Sequence, residues 1–344
     1  MAPAVSILLP FHNAANTLAA CLRSLQHQTL ADFEVLALDD GSTDEGNAIA
    51  EAFARGDARF RLITLPHGGI VTALNRGLEL ARGRFIARMD ADDFATPERL
   101  ALQKSFMETH PDLDLCGGMA LPELPAQGGV RPGVKRYHDW MNSLVTPEEI
   151  ALNMFVESPI PHPTFFAPAR TFKTLQGYRD LNWPEDYDFL QRGVEAGMRY
   201  GKVPQVLVRR TDHPARLTRT DSRYRREGMF RAKAHFFARG SWLDGRPGVV
   251  LGGGGNTARM AAETLMDEGV PVLAFFDNKD AQHGRRIMGV PAYGFPGEID
   301  PVILQHFPDA LFLSCIGEPP GRERLRAWFN ANGMREGEDF LAFS

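Results

Sequence analysis

Roughly the first ninety residues repeat one pattern, a short apolar run, a polar turn and an amphipathic helical stretch, and that repeat leaves few folds open. Val5-Ser6-Ile7-Leu8-Leu9 reads as a buried strand stopped by Pro10, after which Asn16 is placed to cap a helix with Leu18, Leu22 and Leu25 on one face. Glu34-Val35-Leu36-Ala37-Leu38 is a second strand ending in Asp39-Asp40-Gly41-Ser42-Thr43, and Ala48, Ile49, Ala52 and Phe53 mark the next helix. Residues 60–65 give a third strand, residues 70–81 a third helix stopped by Gly83, and residues 84–89 a fourth strand running into Asp90. Thr96-Pro97-Glu98 opens another helix, with Thr96 as cap and Pro97 in the first turn. Strands joined by single helices pair in parallel through right-handed crossovers, and open sheets of this type bind ligands beyond the C-terminal ends of their strands. Residues 10–13, Asp39-Asp40 and Asp90-Ala91-Asp92-Asp93 all fall there, so one acidic and polar crevice is expected.

Three carboxylates within Asp90-Ala91-Asp92-Asp93 repel one another at the end of a buried strand. A hard divalent cation relieves that repulsion, and Mg²⁺ or Mn²⁺ held by carboxylates commonly also holds substrate phosphates. The competing reading is a solvated acidic turn. The position directly after a buried strand, opposite the other two polar strand ends, favours the cation.

The chain has 344 residues, enough for two domains of ordinary size, and its formal net charge of −5 argues against wholesale nucleic-acid binding. Cys21, Cys116 and Cys315 lie far apart in small or apolar settings, which is neither a disulfide framework nor a zinc site. No apolar run approaches the roughly 20 residues of a membrane span, and the run at residues 5–9 is too short for a signal-peptide core. A cytoplasmic protein is expected, with any membrane contact peripheral and at the inner face.

Residues 117–147 read as a Pro- and Gly-rich variable loop over the crevice. An Arg-rich, helical stretch occupies residues 209–239, and residues 240–248 read as a linker. Val249-Val250-Leu251-Gly252 then starts a second unit, with a helix over 259–268 and a strand over 270–277. Gly253, Gly255 and Asp277 fit the spacing of a dinucleotide fingerprint, which predicts a small Rossmann-like α/β domain over residues 246–344. A Rossmann-shaped domain that binds nothing is the alternative.

The stretches Leu9-Pro10-Phe11-His12-Asn13, Leu38-Asp39-Asp40-Gly41-Ser42-Thr43-Asp44, Leu74-Asn75-Arg76-Gly77, Ala87-Arg88-Met89-Asp90-Ala91-Asp92-Asp93 and Pro97-Glu98-Arg99-Leu100, in that order, resemble the family 2 inverting glycosyltransferases. Pro161-His162-Pro163-Thr164, Gly177-Tyr178-Arg179 and Glu185-Asp186-Tyr187-Asp188 fit the second half of that family. The resemblance implies a GT-A domain, an α/β fold with an open, mostly parallel sheet, over residues 1–240. It implies that Pro10 and His12 line the base pocket beside Asn13, that Asp40 accepts from the base, and that Asn75 and His162 also serve the donor side. Asp92 would hold Mn²⁺ or Mg²⁺ with His213, Asp90 would sit by the ribose or the metal's waters, and Asp186 would be the catalytic base, with Glu185 beside it. Asp188 is read as a surface or supporting residue. The loop that often supplies an Arg to the donor carries Gly68-Gly69 here, with His67 nearby.

The expected activity is transfer of one sugar from a nucleotide sugar, UDP-linked by preference, to a glycan or lipid-linked acceptor hydroxyl. Leu190-Gln191-Arg192-Gly193-Val194 lacks the Q-x-x-R-W pattern of the family's processive polymerases, which favours single-sugar addition. Two other readings compete. One is a nucleotide-sugar-binding scaffold without turnover, and the other an NAD-dependent oxidoreductase working through the C-terminal domain. Oligomeric state is left open.

Overall fold

The computed structural model describes residues 2–123, 132–211, 216–279 and 283–344, with the side chains of residues 217 and 218 excepted. It forms two compact units, Met1–Ala151 with Ser158–Leu181 and Glu185–Arg216, and Leu152–Glu157 with Asn182–Pro184 and Leu217–Ser344. Among the described residues no helix is long and apolar enough to cross a membrane.

The first unit is built on one sheet. Its strands are β1 (Val5–Phe11), β2 (Phe33–Asp40), β3 (Phe60–Leu65), β4 (Phe85–Arg88), β5 (Phe94–Ala95), β6 (Leu115–Glu123), β7 (Phe166–Pro168) and β8 (Tyr200–Thr211). They lie in the order β3-β2-β1-β4-β7-β6-β8-β5. The first four named pair in parallel, as single-helix crossovers require, whereas β7 runs antiparallel to both β4 and β6. Every residue of β1 and β2 is buried, and apart from Ser6, Glu34, Asp39 and Asp40 both strands are apolar, as expected of parallel strands covered on both faces.

Local expectations fail at four points, each for a physical reason. β1 continues through Pro10 to Phe11, because β4 pairs with it only as far as Leu8 and one side of Pro10 needs no ladder donor. Asn16 lies inside the helix Ala15–Gln26, and the N–H of Ala15 is capped at 2.8 Å by Asp44 Oδ2 from the next crossover. Thr96 is bonded to the carbonyl of Leu207, so the helix Arg99–Thr109 starts later, with the N–H of Leu100 donated to Gln28 Oε1 at 3.0 Å. Finally, Gly117 and Gly118 sit in strand β6, where an added Cβ would come within 2.3 Å of Ile160 or Leu207. Those glycines mark close packing, not a loop, and a helix, Pro132–Ser143, follows. Residues 124–131 of the expected loop lie outside the described residues.

The second unit has strands β9 (Val249–Gly252), β10 (Val272–Asp277), β11 (Arg285–Ile287), β12 (Val290–Gly294), β13 (Leu311–Ser314) and β14 (Phe340–Ala342). Their order is β11-β12-β10-β9-β13-β14, parallel throughout except for β11. Strand order reverses at β9, the doubly wound arrangement, with the helix Asn256–Asp267 leaving the Gly-rich turn after β9. The units do not divide at residue 240. The Arg-rich helix Arg226–Arg239 carries Phe230, Phe236 and Phe237 among its cations and buries them with Val249, Leu251 and Ala261 in the second unit's core.

Below the N-terminal edge of the first sheet, Glu34 gathers the chain. Its carboxylate accepts from Ser6 Oγ at 2.7 Å, Arg61 at 2.9 Å, and the Arg82 side chain at 2.6 and 3.0 Å. Burial alone would raise its pKa, but these donors outweigh that and hold it at about 2. The bonded carboxylate therefore stabilises the fold fully above its unfolded pKa and loses that contribution as pH falls toward 2. We expect Glu34→Gln to lower the unfolding free energy at pH 7 by about 1–3 kcal/mol. In urea titrations the gap to wild type should narrow between about pH 4.5 and 2. A gap that stays constant over that range would contradict this role for the charge.

Candidate functional site

The acidic run occupies the tight connection between β4 and β5, and both ends are pinned. Leu8 accepts from the N–H of Met89, and β5 pairs with β8 at Phe94↔Arg209 and Ala95↔Val208. Behind it, fully buried Arg99 donates to the carbonyl of Arg88 at 2.6 Å and to Gln103 Oε1 at 3.1 Å. The carboxylates of Asp90, Asp92 and Asp93 consequently present oxygens within 4.8 Å of one another. Asp93 is buried, with Oδ1 accepting from the N–H of Thr211 at 3.1 Å and Oδ2 without a hydrogen-bond partner among the described residues.

Three guanidinium groups face this trio. Arg88, 2 % exposed at the end of β4, pairs with Asp90. Arg210 lies 3.7 Å from Asp93, and Arg216 lies 3.6 Å from Asp90 and 3.7 Å from both Asp92 and Asp93. Burial would raise the pKa of Asp90, but Arg88, Arg216 and Arg210 hold it well below the usual carboxylate range. Burial and the Asp90 charge push Asp93 the other way. A cluster of closely spaced, oppositely shifted acids is the electrostatic mark of a site built for a cation or for chemistry.

The second group of expected residues lies where β1 and β2 end. Asn13, at φ 49°, accepts from the N–H of Thr43 at 2.8 Å and so ties the first two crossovers together. His12 Nδ1 contacts the carbonyl of Asp40 at 2.8 Å, and its ring stacks on His67 with centroids 4.3 Å apart. The Asp40 carboxylate accepts from the N–H groups of Gly68 at 2.8 Å and Gly69 at 2.9 Å, and His67 lies 2.9 Å from it. Gly41, at φ 70°, lets His67 close over this corner, since a Cβ there would meet the His67 nitrogen at 2.8 Å. Gly68-Gly69 thus serves Asp40 through backbone donors. His12, Asp40 and His67 also stand close enough together to ligate a cation.

The third group follows β7. The helix Glu185–Glu195 starts with Glu185, buried at 2 % exposure, and partly buried Asp186, whose Oδ1 accepts from the N–H of Tyr187 at 2.8 Å. Burial, reinforced by the Glu185 charge, raises Asp186 to about 7. His162 lies 3.0 Å from the Tyr178 hydroxyl and 3.6 Å from Glu185, and burial together with Arg88 keeps its ring neutral. Asn75 engages the Tyr178 backbone at both ends of its amide, at 2.9 Å each, and the turn between them requires Gly177, at φ 71°. Asp188 is not a surface residue: it is fully buried, with Arg179 at 2.6 Å and Arg192 at 2.8 Å on its carboxylate. Arg88 links the groups, because its charge acts on Asp90, Tyr178, Glu185 and Asp186.

His213 lies outside the described residues. In the second unit Gly253, at φ 112°, and Gly255 form the turn before Asn256–Asp267, and Asp277 Oδ2 accepts from the N–H of Gly254 at 2.8 Å. Sequence reasoning passed over Arg88, Arg210 and Arg216. Arg88 did carry a signal, as the one charge inside the apolar run Phe85-Ile86-Ala87-Arg88-Met89. Arg216 carried none beyond membership of an Arg-rich stretch.

Residues 6–151 match the family described as Glycosyl transferase family 2. The chain is 31% identical over 213 residues to the putative glycosyltransferase EpsE of Bacillus subtilis, covering 60% of this chain and 72% of EpsE. The uncharacterized glycosyltransferase EpsJ of the same organism is 41% identical over 96 residues, 28% of each chain, and EpsH is 37% identical over 114 residues, 33% of each chain. The match therefore spans about a third or less of those two relatives. Among solved structures, Staphylococcus aureus TarS 1-349 in complex with UDP-GlcNAc superposes with a TM-score of 0.55 at 21% identity, over 78% of this chain and 72% of that one. The first unit's curled, largely parallel sheet thus has the GT-A fold.

Breaking the Asp188 pairing should destabilise the fold. Asp188→Asn leaves Arg192 without its counter-charge and should lower the unfolding free energy by roughly 3 kcal/mol. Asp186→Asn, at a partly exposed helix start, should change it by less than about 1 kcal/mol. Thermal melts of the two variants check this, and equal melting temperatures would contradict the assignment of Asp188 to the core.

Proposed function

The chain belongs to glycosyl transferase family 2, and on that premise we propose that it moves one sugar from a UDP-sugar to an acceptor hydroxyl with inversion at the anomeric carbon. The observation that carries the reading is Arg88, a buried guanidinium that pairs with Asp90 and whose charge also acts on Glu185 and Asp186. Two acid sites joined through one fixed charge suit a reaction in which a leaving diphosphate and an acceptor hydroxyl meet at one carbon. The UDP-GlcNAc bound by TarS supports the choice of a uridine donor. The acceptor proposed is a glycan or lipid-linked hydroxyl, in keeping with the match to the chondroitin synthase of Escherichia coli, 36% identical over 197 residues and 57% of this chain, though only 27% of that enzyme.

Asp92, with Asp90 and Asp93, suits a hard divalent ion, Mn²⁺ or Mg²⁺, because all their ligand atoms are oxygens and one buried oxygen of Asp93 lacks a hydrogen-bond partner among the described residues. When bound, such an ion supplies charge neutralisation to the departing diphosphate. Pro10, His12 and Asn13 line the proposed base pocket, with Asp40 at its floor held by the Gly68 and Gly69 N–H groups. Asp186 accepts the acceptor's proton. Its raised pKa matches that duty, since a base works best when its pKa lies near the operating pH. His213 remains the proposed further metal ligand. Asn75 and His162 act by shaping the Tyr178 side of the crevice. The second unit is proposed to be a Rossmann-like accessory domain, and its Asp277 carboxylate already serves the Gly-rich turn.

Asp186→Asn should lose about 10²–10⁴-fold in transfer rate while binding UDP as wild type does. Asp186 carries its proton below pH 7, so the wild-type rate should climb as pH rises through that value. The variant should lack that limb. Helix capping alone predicts otherwise, because Asn also accepts from the Tyr187 N–H and would leave turnover intact. Initial rates between about pH 5.5 and 8.5 for both proteins decide the matter, and normal transfer by the variant would remove Asp186 from the mechanism.

A further inference from the structure

We propose that Arg216 is a built-in counter-ion that a divalent metal must displace, so that metal and nucleoside diphosphate enter this site together. The inference rests on the proposed metal-dependent binding of a nucleotide-sugar donor. Arg216 is 10 % exposed and lies within 3.7 Å of a carboxylate oxygen on each of Asp90, Asp92 and Asp93. It is anchored by a 2.6 Å hydrogen bond from Nη1 to the carbonyl of Thr211, beside the Thr211 N–H that binds Asp93. A guanidinium set against three carboxylates occupies the space a metal needs, since Mg²⁺, for one, draws oxygen ligands to about 2.0–2.1 Å.

Charge balance governs how the ligands enter. Arg88, Arg210 and Arg216 already set three guanidinium charges beside Asp90, Asp92 and Asp93. A divalent cation arriving alone would add two positive charges to a largely buried cluster and push against three guanidinium groups. The same cation arriving with the diphosphate of a nucleotide sugar, which carries two negative charges, adds no net charge. Arg216, displaced from the carboxylates, then meets the diphosphate oxygens, for which its planar fork is suited. Arg88 cannot make this exchange, being buried in β4 and tied to Asp90. Arg216 is therefore a positioning residue that couples metal binding to donor binding, and each ligand must strengthen the other by the same factor.

The test is a Mn²⁺ titration of the full chain, read by the electron paramagnetic resonance signal of free Mn²⁺, with and without saturating UDP. Wild type should bind Mn²⁺ weakly alone and on the order of a hundredfold tighter with UDP, within the usual range of coupled sites. Arg216→Gln should bind Mn²⁺ alone on the order of tenfold tighter than wild type and show a coupling reduced to severalfold. Arg216→Lys, which keeps the charge, should stay near wild type in the nucleotide-free titration. If wild type binds Mn²⁺ equally well with and without UDP, the coupling is absent and the proposal fails without recourse to any variant. If wild type shows the coupling but Arg216→Gln leaves nucleotide-free Mn²⁺ affinity unchanged or weaker, Arg216 is not the competitor. If wild type binds no Mn²⁺ even with UDP, the metal-dependent donor reading falls, and this proposal with it.

Discussion

A buried positive charge at the end of β4 is the constraint on which the first unit's chemistry rests. Arg88 is almost without solvent, and an isolated guanidinium there would be prohibitive. The fold answers with carboxylates, Asp90 in contact and Glu185 and Asp186 within its field. Those acids would in turn repel one another without it. Against its own burial, Asp90 is held low by Arg88, Arg216 and Arg210, whereas burial and the Glu185 charge raise Asp186. Two carboxylates set at different proton affinities around one cation can divide donor and acceptor duties.

The sheet explains why these groups meet. β1, β2 and β4 end on the same edge because their crossovers make them parallel, and β7 reverses direction beside β4. That reversal returns the chain to start the helix Glu185–Glu195 near the acidic loop, with the buried Asp188 pairs and the Asn75 clamp on Tyr178 keeping it there. Supporting residues here are mostly polar groups that hold backbone: Arg99 on Arg88, Asp44 on Ala15, Gln28 on Leu100. They fix the loops that carry the proposed site residues.

Much of this was legible in the sequence where pattern and position coincide. The apolar runs of β1 and β2 and the acids that end or succeed such runs announce a parallel sheet with a polar edge, and Asp39-Asp40 and Asp90 to Asp93 lie at that edge. What escaped depends on long-range partners. Asn16 looked like a cap because no local reading could foresee Asp44 reaching Ala15. Gly117 and Gly118 looked like loop because the Ile160 and Leu207 side chains that crowd them are distant in sequence. Phe230, Phe236 and Phe237 were hidden among the arginines around them, which concealed where the second unit begins. Arg216 is one cation among many until the fold sets it against three carboxylates.

The Asp90-Asp92-Asp93 cluster, and not the equally compact His12-Asp40-His67 corner, is the proposed seat of the donor's metal. Anomalous scattering at the manganese edge from crystals grown with UDP and Mn²⁺ tests it most directly. We expect one strong peak between the acidic trio and the UDP diphosphate, with the uracil ring beside Asp40 and no metal there. A peak at the histidine pair, or ordered UDP with no metal at the acidic trio, would contradict it.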